Sequence, residues 1–241
     1  MYFSLEDVIA FLPNLLQGAV ITIVVSLLAF AIALVLGLVL GIMRISRVLP
    51  TRWLAAFYIQ FIRGTPLLLQ LFFIYYVLPY GGIILSPFVS GVAGLAMNYA
   101  AYMAEVFRSG IQAIPKGQFE AASAVGMSRG LMMRRIILPQ ALRIIIPSIG
   151  NFFVSIFKDS ALVSVLTLRD LMFSGQLLAS STFKHFEIFA MVAVIYFLIS
   201  YPVAKFVEYI EARFDVRRRR PVAKRQTRPQ KLPTEMPQAA R

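Results

Sequence analysis

The sequence predicts an all-α integral membrane protein with five transmembrane helices. Two observations carry that expectation. Of the 241 residues, 59% are hydrophobic, and the mean hydropathy is +0.76, whereas a soluble domain carries about 45–50% apolar residues. The charges are also confined. None occurs between Asp7 and Arg44, and the basic residues gather at the ends of apolar runs and in the C-terminal tail. Lipid then solvates much of the surface, and the length suits one membrane domain rather than several modules.

Each element follows from the spacing of apolar runs. A span needs about 20 apolar residues, and the uncharged run after Asp7 is longer than that. Pro13 and Asn14 are expected to divide it into a short N-terminal interfacial segment, residues 1–13, and a first span over 16–43. The second span, 53–78, is interrupted by Arg63-Gly64-Thr65-Pro66. An uncharged turn with Gly81 and Gly82 leads to the third span, 88–107. Residues 115–139 form a polar, mostly helical loop, followed by the fourth span over 140–157 and the fifth over 188–207. Residues 158–187 read as an amphipathic segment at the membrane edge. The membrane domain thus covers 14–212. The tail, 213–241, contains RRRRPVAKRQTRPQK and is too charged and proline-rich to fold. Arg217 to Arg220 are placed to meet anionic membrane lipids.

The positive-inside rule sets the orientation. Arg44, Arg47 and Arg52 make the first loop basic, and Lys116, Arg129, Arg134 and Arg135 do the same for the third. The N-terminus carries only Glu6 and Asp7, and the second loop carries no charge. The N-terminus is therefore expected outside and the C-terminus in the cytoplasm. An alternative sixth span over Asp159 to Ser180 would bury Arg169 and Asp170 near its centre, at a cost of about 2.5–3.5 kcal/mol each. It would also put the tail outside.

The net charge of +13 does not imply nucleic acid, because its placement is what membrane orientation requires. With no cysteine and His185 as the only histidine, thiol catalysis, Cys metal sites and histidine clusters are excluded. MYFSLEDV lacks the basic n-region of a cleaved signal peptide. None of the six lysines follows a glycine, so there is no phosphate-binding Gly-Lys-Ser/Thr loop. ATP must then be hydrolysed on another chain. The protein is expected not to be an enzyme and to hold no cofactor.

The third loop carries the most specific signal. Gln118 to Val125 are good helix formers, Gly126 suits the left-handed position that ends a helix, and Ser128 can cap a second short helix. Pro139 fits the first turn of the next span. Ala121, Ala122 and Ala124 keep the first helix slim enough to enter a groove of another protein, with Glu120 as one fixed charge beside it. The spacing is Glu120-Ala121-Ala122, three residues, Gly126, nine residues, then Ile136-x-Leu138-Pro139.

This pattern resembles the coupling loop of ABC importer permeases. Arg63-Gly64-Thr65-Pro66-Leu67 is similar to the polar amino acid group of that family, as is Tyr99-Ala100-Ala101-Tyr102 with Glu105, Arg108, Gly110, Ile111, Gly117 and Gln118. Lys158-Asp159-Ser160-Ala161-Leu162 is similar to that group's Lys-Asp-Thr/Ser-Ser-Leu, with Ala161 replacing its second hydroxyl residue. The resemblance spans roughly 10–212. It implies a type I importer permease fold in a bacterial plasma membrane, with the loop docked on a cytoplasmic ATPase dimer. It also implies a second permease chain, an external (periplasmic) solute-binding protein and a polar amino acid as cargo. The residues it assigns to ATPase coupling are Gly117, Gln118, Glu120, Ala121, Ala122, Gly126, Ile136, Leu138 and Pro139.

Candidate pathway residues are Arg63, Thr65, Gln70, Asn98, Glu105, Lys158, Asp159 and Ser160. Arg63 and Glu105 are charges inside predicted spans, where such groups face the bundle interior or pair together. A structural ion pair, or snorkelling to the interface, is the bland alternative. Ala96, Ala100 and Ala104 form a small-residue ridge for close helix packing. Asn98 and Glu105, seven residues apart, share a face opposed to that ridge. Gly64 and Pro66 free backbone carbonyls, tolerated only where protein or a wet cavity covers them. Pro147, Gly150 and Asn151 mark a similar irregularity in the fourth span. Rival readings are an ion-driven secondary transporter, a permease for another small solute such as an opine or betaine, and a non-transporting scaffold. No internal repeat of the kind many secondary transporters carry is visible.

Overall fold

The computed structural model describes residues 5–214, and every regular element among them is helical. In hydrocarbon each backbone N–H and C=O needs an internal partner, which a helix supplies along its whole length. Of the expected disordered tail, 213–241, Arg213 and Phe214 are helical, and the rest lies beyond the described residues.

Helix α1 (Leu5–Arg44) runs unbroken for 40 residues. The division expected at Pro13 and Asn14 does not occur. Proline removes one hydrogen bond, to the carbonyl four residues back. Here that residue is Ile9, which is exposed, so its carbonyl can meet water or headgroups. One stripe of α1 is buried: Val25, Ala29, Ala33, Gly37 and Gly41 recur at helical spacing. The opposite face exposes Val20, Leu27, Val35 and Val39.

α2 (Leu49–Arg63) starts with Pro50 in its first turn and ends at the Arg63-Gly64 break. α3 (Leu67–Phe72) continues through a π turn and a 3-10 turn to Gly81. The two halves meet at 105°, so the predicted second span is a sharply bent pair rather than one interrupted rod.

α4 (Pro87–Gln112) is capped by Ser86, whose hydroxyl accepts from the Val89 N–H. It is the centre of the bundle. Leu95, Ala96, Ala100, Ala101, Met103 and Ala104 are almost wholly inaccessible. The ridge of alanines meets the glycines of α1: a Cβ added at Gly37 would lie 2.7 Å from the Met103 Cβ, and one at Gly41 would lie 2.9 Å from the Phe107 Cβ. Backbones approach this closely only where both surfaces are small.

α5 (Lys116–Ala124) and α6 (Arg129–Met132) follow. A π turn over Met133–Ile137 then joins α6 to α7 (Leu138–Asp159). Pro139 therefore does not open a free-standing span. It sits inside one helical run, Arg129–Leu166, and the wide π turn before it relieves the clash a proline ring makes with the preceding turn. A 3-10 stretch, Ser160–Leu166, precedes α8 (Leu171–Thr182), and α9 (His185–Phe214) closes the chain.

The alternative sixth span is not formed. α8 has 12 residues, roughly 18 Å at 1.5 Å per residue, against a hydrocarbon core of about 30 Å. Nor is the segment before it merely amphipathic. Asp170 is wholly buried and caps α8 by accepting from the Phe173 N–H at 2.9 Å, while the Thr22 hydroxyl of α1 accepts from the Leu171 N–H at 3.1 Å.

Among the described residues, three helices are long and apolar enough to cross a membrane, and a fourth crossing is available if the bent pair counts as one. α4 is not among them. It faces protein on most sides, so its surface carries Gly, Ala, Ser and Asn where a lipid-facing helix carries Leu and Ile. The main core lies around α4, and a smaller cluster joins Leu15 and Ala19 of α1 to Leu171, Ala179 and Ile188.

Candidate functional site

The break between α2 and α3 creates the first site. Proline at 66 disfavours helical geometry at Thr65 and supplies no N–H of its own. Several carbonyls of the last α2 turn therefore lose helical partners. Gln70, buried on α3, replaces them: its Nε2 donates toward Ile62 O at 2.8 Å, Thr65 O at 3.0 Å and Thr65 Oγ1 at 2.9 Å. The Gln70 Oε1 in turn accepts from Asn98 Nδ2 of α4 at 3.0 Å. Thr65 Oγ1 donates to Phe61 O at 3.1 Å. The bend is thus satisfied by side chains, and it is fastened to the central helix.

Above this clamp lies a cleft of about 530 Å³, within the range of small-molecule sites. Arg63, Thr65, Asn98, Lys158 and Asp159 line it. Five of the eight predicted pathway residues therefore meet at one place, although they come from three separate parts of the chain. Tyr99 donates to Asp159 Oδ2 at 2.6 Å. The Arg63 guanidinium lies over the Tyr102 ring, 5.2 Å from its centroid. Phe152 stands edge-on to Tyr99 at 6.0 Å and completes an aromatic wall. Neither Arg63 nor Lys158 pairs with a carboxylate among the described residues. Two free cations and one carboxylate on aromatic walls can hold a ligand that carries a carboxylate and an ammonium group.

The other three candidates lie elsewhere. Gln70 is beneath the cleft and holds its floor. Ser160 is fully buried and donates to Phe157 O at 2.8 Å, which spends its hydroxyl on the turn after α7. Glu105 does not partner Arg63. It binds Arg108 at 2.6 Å, one turn along the same helix, because an i,i+3 neighbour is always within reach. Asn98 and Glu105 share a helix face, yet only Asn98 reaches the cleft.

Tyr99, Tyr102, Phe152 and Ser155 also line the cleft and were not singled out as site residues. Tyr99 and Tyr102 had a readable signal, since they flank the face of Asn98 at helical spacing. Phe152 had none, being one of 20 phenylalanines.

The second site is the α5 segment. α5 ends in a Schellman arrangement: Gly126 N–H donates to Ser123 O at 3.0 Å and Met127 N–H to Ala122 O at 3.1 Å. Gly126 takes φ +76°, as a left-handed terminus requires. Ser128 caps α6, accepting from the Leu131 N–H at 3.4 Å. Ala122 is buried against the core, whereas Gln118, Glu120, Ala121 and Ala124 are exposed and Val125 is 76% exposed. Gln140 Nε2 bridges Gln118 Oε1 at 3.2 Å and Ile136 O at 3.0 Å, tying α5 to the foot of α7. Ile136 and Leu138 are half-buried in that foot, and Pro139 and Gly117 are exposed.

A helical membrane bundle with a polar cleft inside it and a slim exposed helix at one end defines the membrane component of a transporter. Comparison with known proteins gives the particular family. Residues 33–216 match the family described as "Binding-protein-dependent transport system inner membrane component". The probable glutamine ABC transporter permease protein GlnM of Bacillus subtilis is 38% identical over 200 residues, covering 83% of this chain and 93% of that protein. The L-cystine transport system permease protein TcyB of the same organism is 37% identical over 207 residues, covering 86% and 88%. A crystal structure of an amino acid ABC transporter superposes with TM-score 0.82 at 38% identity, covering 88% of this chain and 100% of that one. The MetNI methionine transporter, at 17% identity and TM-score 0.65, shares the fold. The chain belongs to the binding-protein-dependent inner membrane component family, the permease subunits of ABC importers. These are membrane subunits and not themselves enzymes, and their association with an ATPase and a binding protein follows from the family.

Proposed function

We propose that this permease carries a polar amino acid inward through the cleft, by alternating access driven by an ATPase dimer docked on α5. The observation that carries the reading is the convergence of Arg63, Lys158 and Asp159 on one aromatic-walled cavity. The excess positive charge favours a substrate carboxylate, and Asp159 offers the one counter-charge for its ammonium group. The named relatives are permeases for glutamine, cystine and unspecified amino acids, which supports the same cargo class.

The cleft is open on a single chain, since Arg63, Gly64, Pro66 and Lys158 at its rim are exposed. A second permease chain, identical or related, closes it. The chain crosses five times, with the start of α1 outside and the tail inside. Two contacts support that sidedness. Asp7 of α1 pairs with Lys184 before α9 at 2.6 Å, and the far end gathers Arg44, Arg47, Arg108, Phe119 and Arg129 around one basin. Pathway and coupling residues thus lie at different depths. Tyr99 precedes the inner end of α4, Gln112, by roughly 20 Å at 1.5 Å per residue.

The test is uptake by proteoliposomes holding permease, ATPase and binding protein. Arg63→Gln and Asp159→Asn should each weaken uptake about ten- to a hundredfold, the worth of one hydrogen bond to a charged group, with assembly intact. Wild-type uptake in both variants refutes the cleft as the path.

A further inference from the structure

At the opposite end from the cleft lies a larger basin of about 820 Å³. Arg44, Arg47, Arg52, Arg108 and Arg129 line it, and no acidic residue does. Only Arg108 is neutralised, by Glu105 at 2.6 Å. The other four have no carboxylate partner among the described residues. Arg44 goes further: its Nε is buried with no acceptor. A buried donor without a partner is costly, and four unpaired guanidinium groups around one cavity repel each other. Both costs are relieved by an anion held inside.

The lining says which anion. Every basic group is arginine, whose planar fork matches the oxygens of a phosphate in pairs. Apart from Ser46 and Gln112, the rest of the wall is apolar, including Ile42, Val48, Phe119 and Met132. Ile42 and Val48 are also 47% and 57% exposed, and Trp53, five residues beyond Val48, is 70% exposed. Exposed aliphatic residues beside a tryptophan mark the boundary between hydrocarbon and headgroups. The basin is several times the size of a bare phosphate, and two of its lining residues, Ile42 and Val48, are exposed apolar side chains.

We propose that this basin is a phosphate-binding site, filled by the headgroup of an anionic phospholipid, in which Arg44 and Arg129 grip the phosphate and Arg47 and Arg52 guard the entrance. The site joins the loop after α1 to the α5–α6 segment, so an occupant braces the inner end of the permease against the segment that meets the ATPase. It does not depend on the cargo, and its test reads bound lipid rather than uptake.

The assembled transporter is placed in phosphatidylcholine nanodiscs containing graded phosphatidylglycerol, and retained lipid is counted by native mass spectrometry. Wild type should retain phosphatidylglycerol over phosphatidylcholine. Arg47→Gln and Arg129→Gln, both exposed and tolerable to the fold, should each reduce that preference about fivefold. Arg47→Lys should keep more of it than Arg47→Gln. Arg217→Gln through Arg220→Gln in the tail control for unspecific attraction and should leave the basin's share unchanged. Sodium phosphate forms the second arm. If it occupies wild type and not Arg129→Gln, while the lipid shows no preference, the phosphate chemistry stands with a soluble source. Equal lipid retention in wild type and both Gln variants, with no phosphate binding, overturns the proposal. So does a cross-link from an Arg47→Cys variant to the ATPase that forms equally with and without phosphatidylglycerol, since the basin then receives a protein partner.

Discussion

Gln70 holds the bend that shapes the cleft. It covers two carbonyls and a hydroxyl of the Arg63-to-Pro66 break and is itself held by Asn98. Gln70→Leu keeps the volume and removes every one of these bonds. It should lower stability by about 1–3 kcal/mol, the cost of leaving buried polar groups unpaired, and depress uptake as Arg63 loses its seat. Thermal unfolding of the purified transporter beside uptake measures both. Asn98→Ala should show the smaller effect, because it leaves the carbonyl bonds intact. The Gly-Thr-Pro break was legible in sequence, since its chemistry is local. That Gln70 supports the cleft rather than lining it depends on a 105° turn, which no spacing argument supplies. Phe152 and Ser155 were illegible for the same reason.

At the scale of elements, the contact of α1 with α4 decides whether the bundle forms. The alanine ridge of α4 was readable from its four-residue period, and the facing glycines, Gly37 and Gly41, repeat the same period. Gly37→Leu would drive a side chain into Met103 and the Ala100 carbonyl. Overpacking of this kind costs about 1–3 kcal/mol or more, and the expected outcome is a large loss of assembled transporter on size exclusion. Val35→Leu, on the exposed face, should be neutral. Gly126 belongs at this scale too. A Cβ there meets nothing within 4 Å, so only its φ of +76° opposes substitution. Gly126→Ala should therefore cost roughly 1–2 kcal/mol, expressed as fraying of α5 and weaker ATPase docking, without loss of the bundle. Helix ends set by glycine and serine were predictable because a cap is a local contract between neighbours. The continuity of α1 through Pro13 was not, because it depends on whether the freed carbonyl reaches water.

For the whole molecule, the proposed function separates where cargo is held from where force enters. α5 exposes a slim face with Glu120, Ala121 and Val125, yet it is anchored through Ala122 and through Gln118 to the foot of α7. α7 ends, 22 residues later, at Asp159 of the cleft. Under the proposed function, a push on α5 would pass along α7 to Asp159, the counter-charge for the substrate's ammonium group. Glu120→Lys reverses the charge at the exposed face without touching the core. It should let ATP hydrolysis proceed with uptake strongly reduced, read as the ratio of cargo moved to phosphate released in proteoliposomes. The all-helical fold and the helix ends of the α5–α6 segment were legible because hydropathy and helix caps are local. The cleft was half legible, since its charges announced themselves and its walls did not.

The most direct test of the central claim, that α5 faces the cytoplasm and receives the ATPase, uses the chain's lack of cysteine. A single Ala121→Cys is treated with a membrane-impermeant maleimide from either side of sealed vesicles. The account predicts labelling from the inner face alone, suppressed when the ATPase is bound. Labelling from the outer face, or inner labelling indifferent to the ATPase, would contradict it.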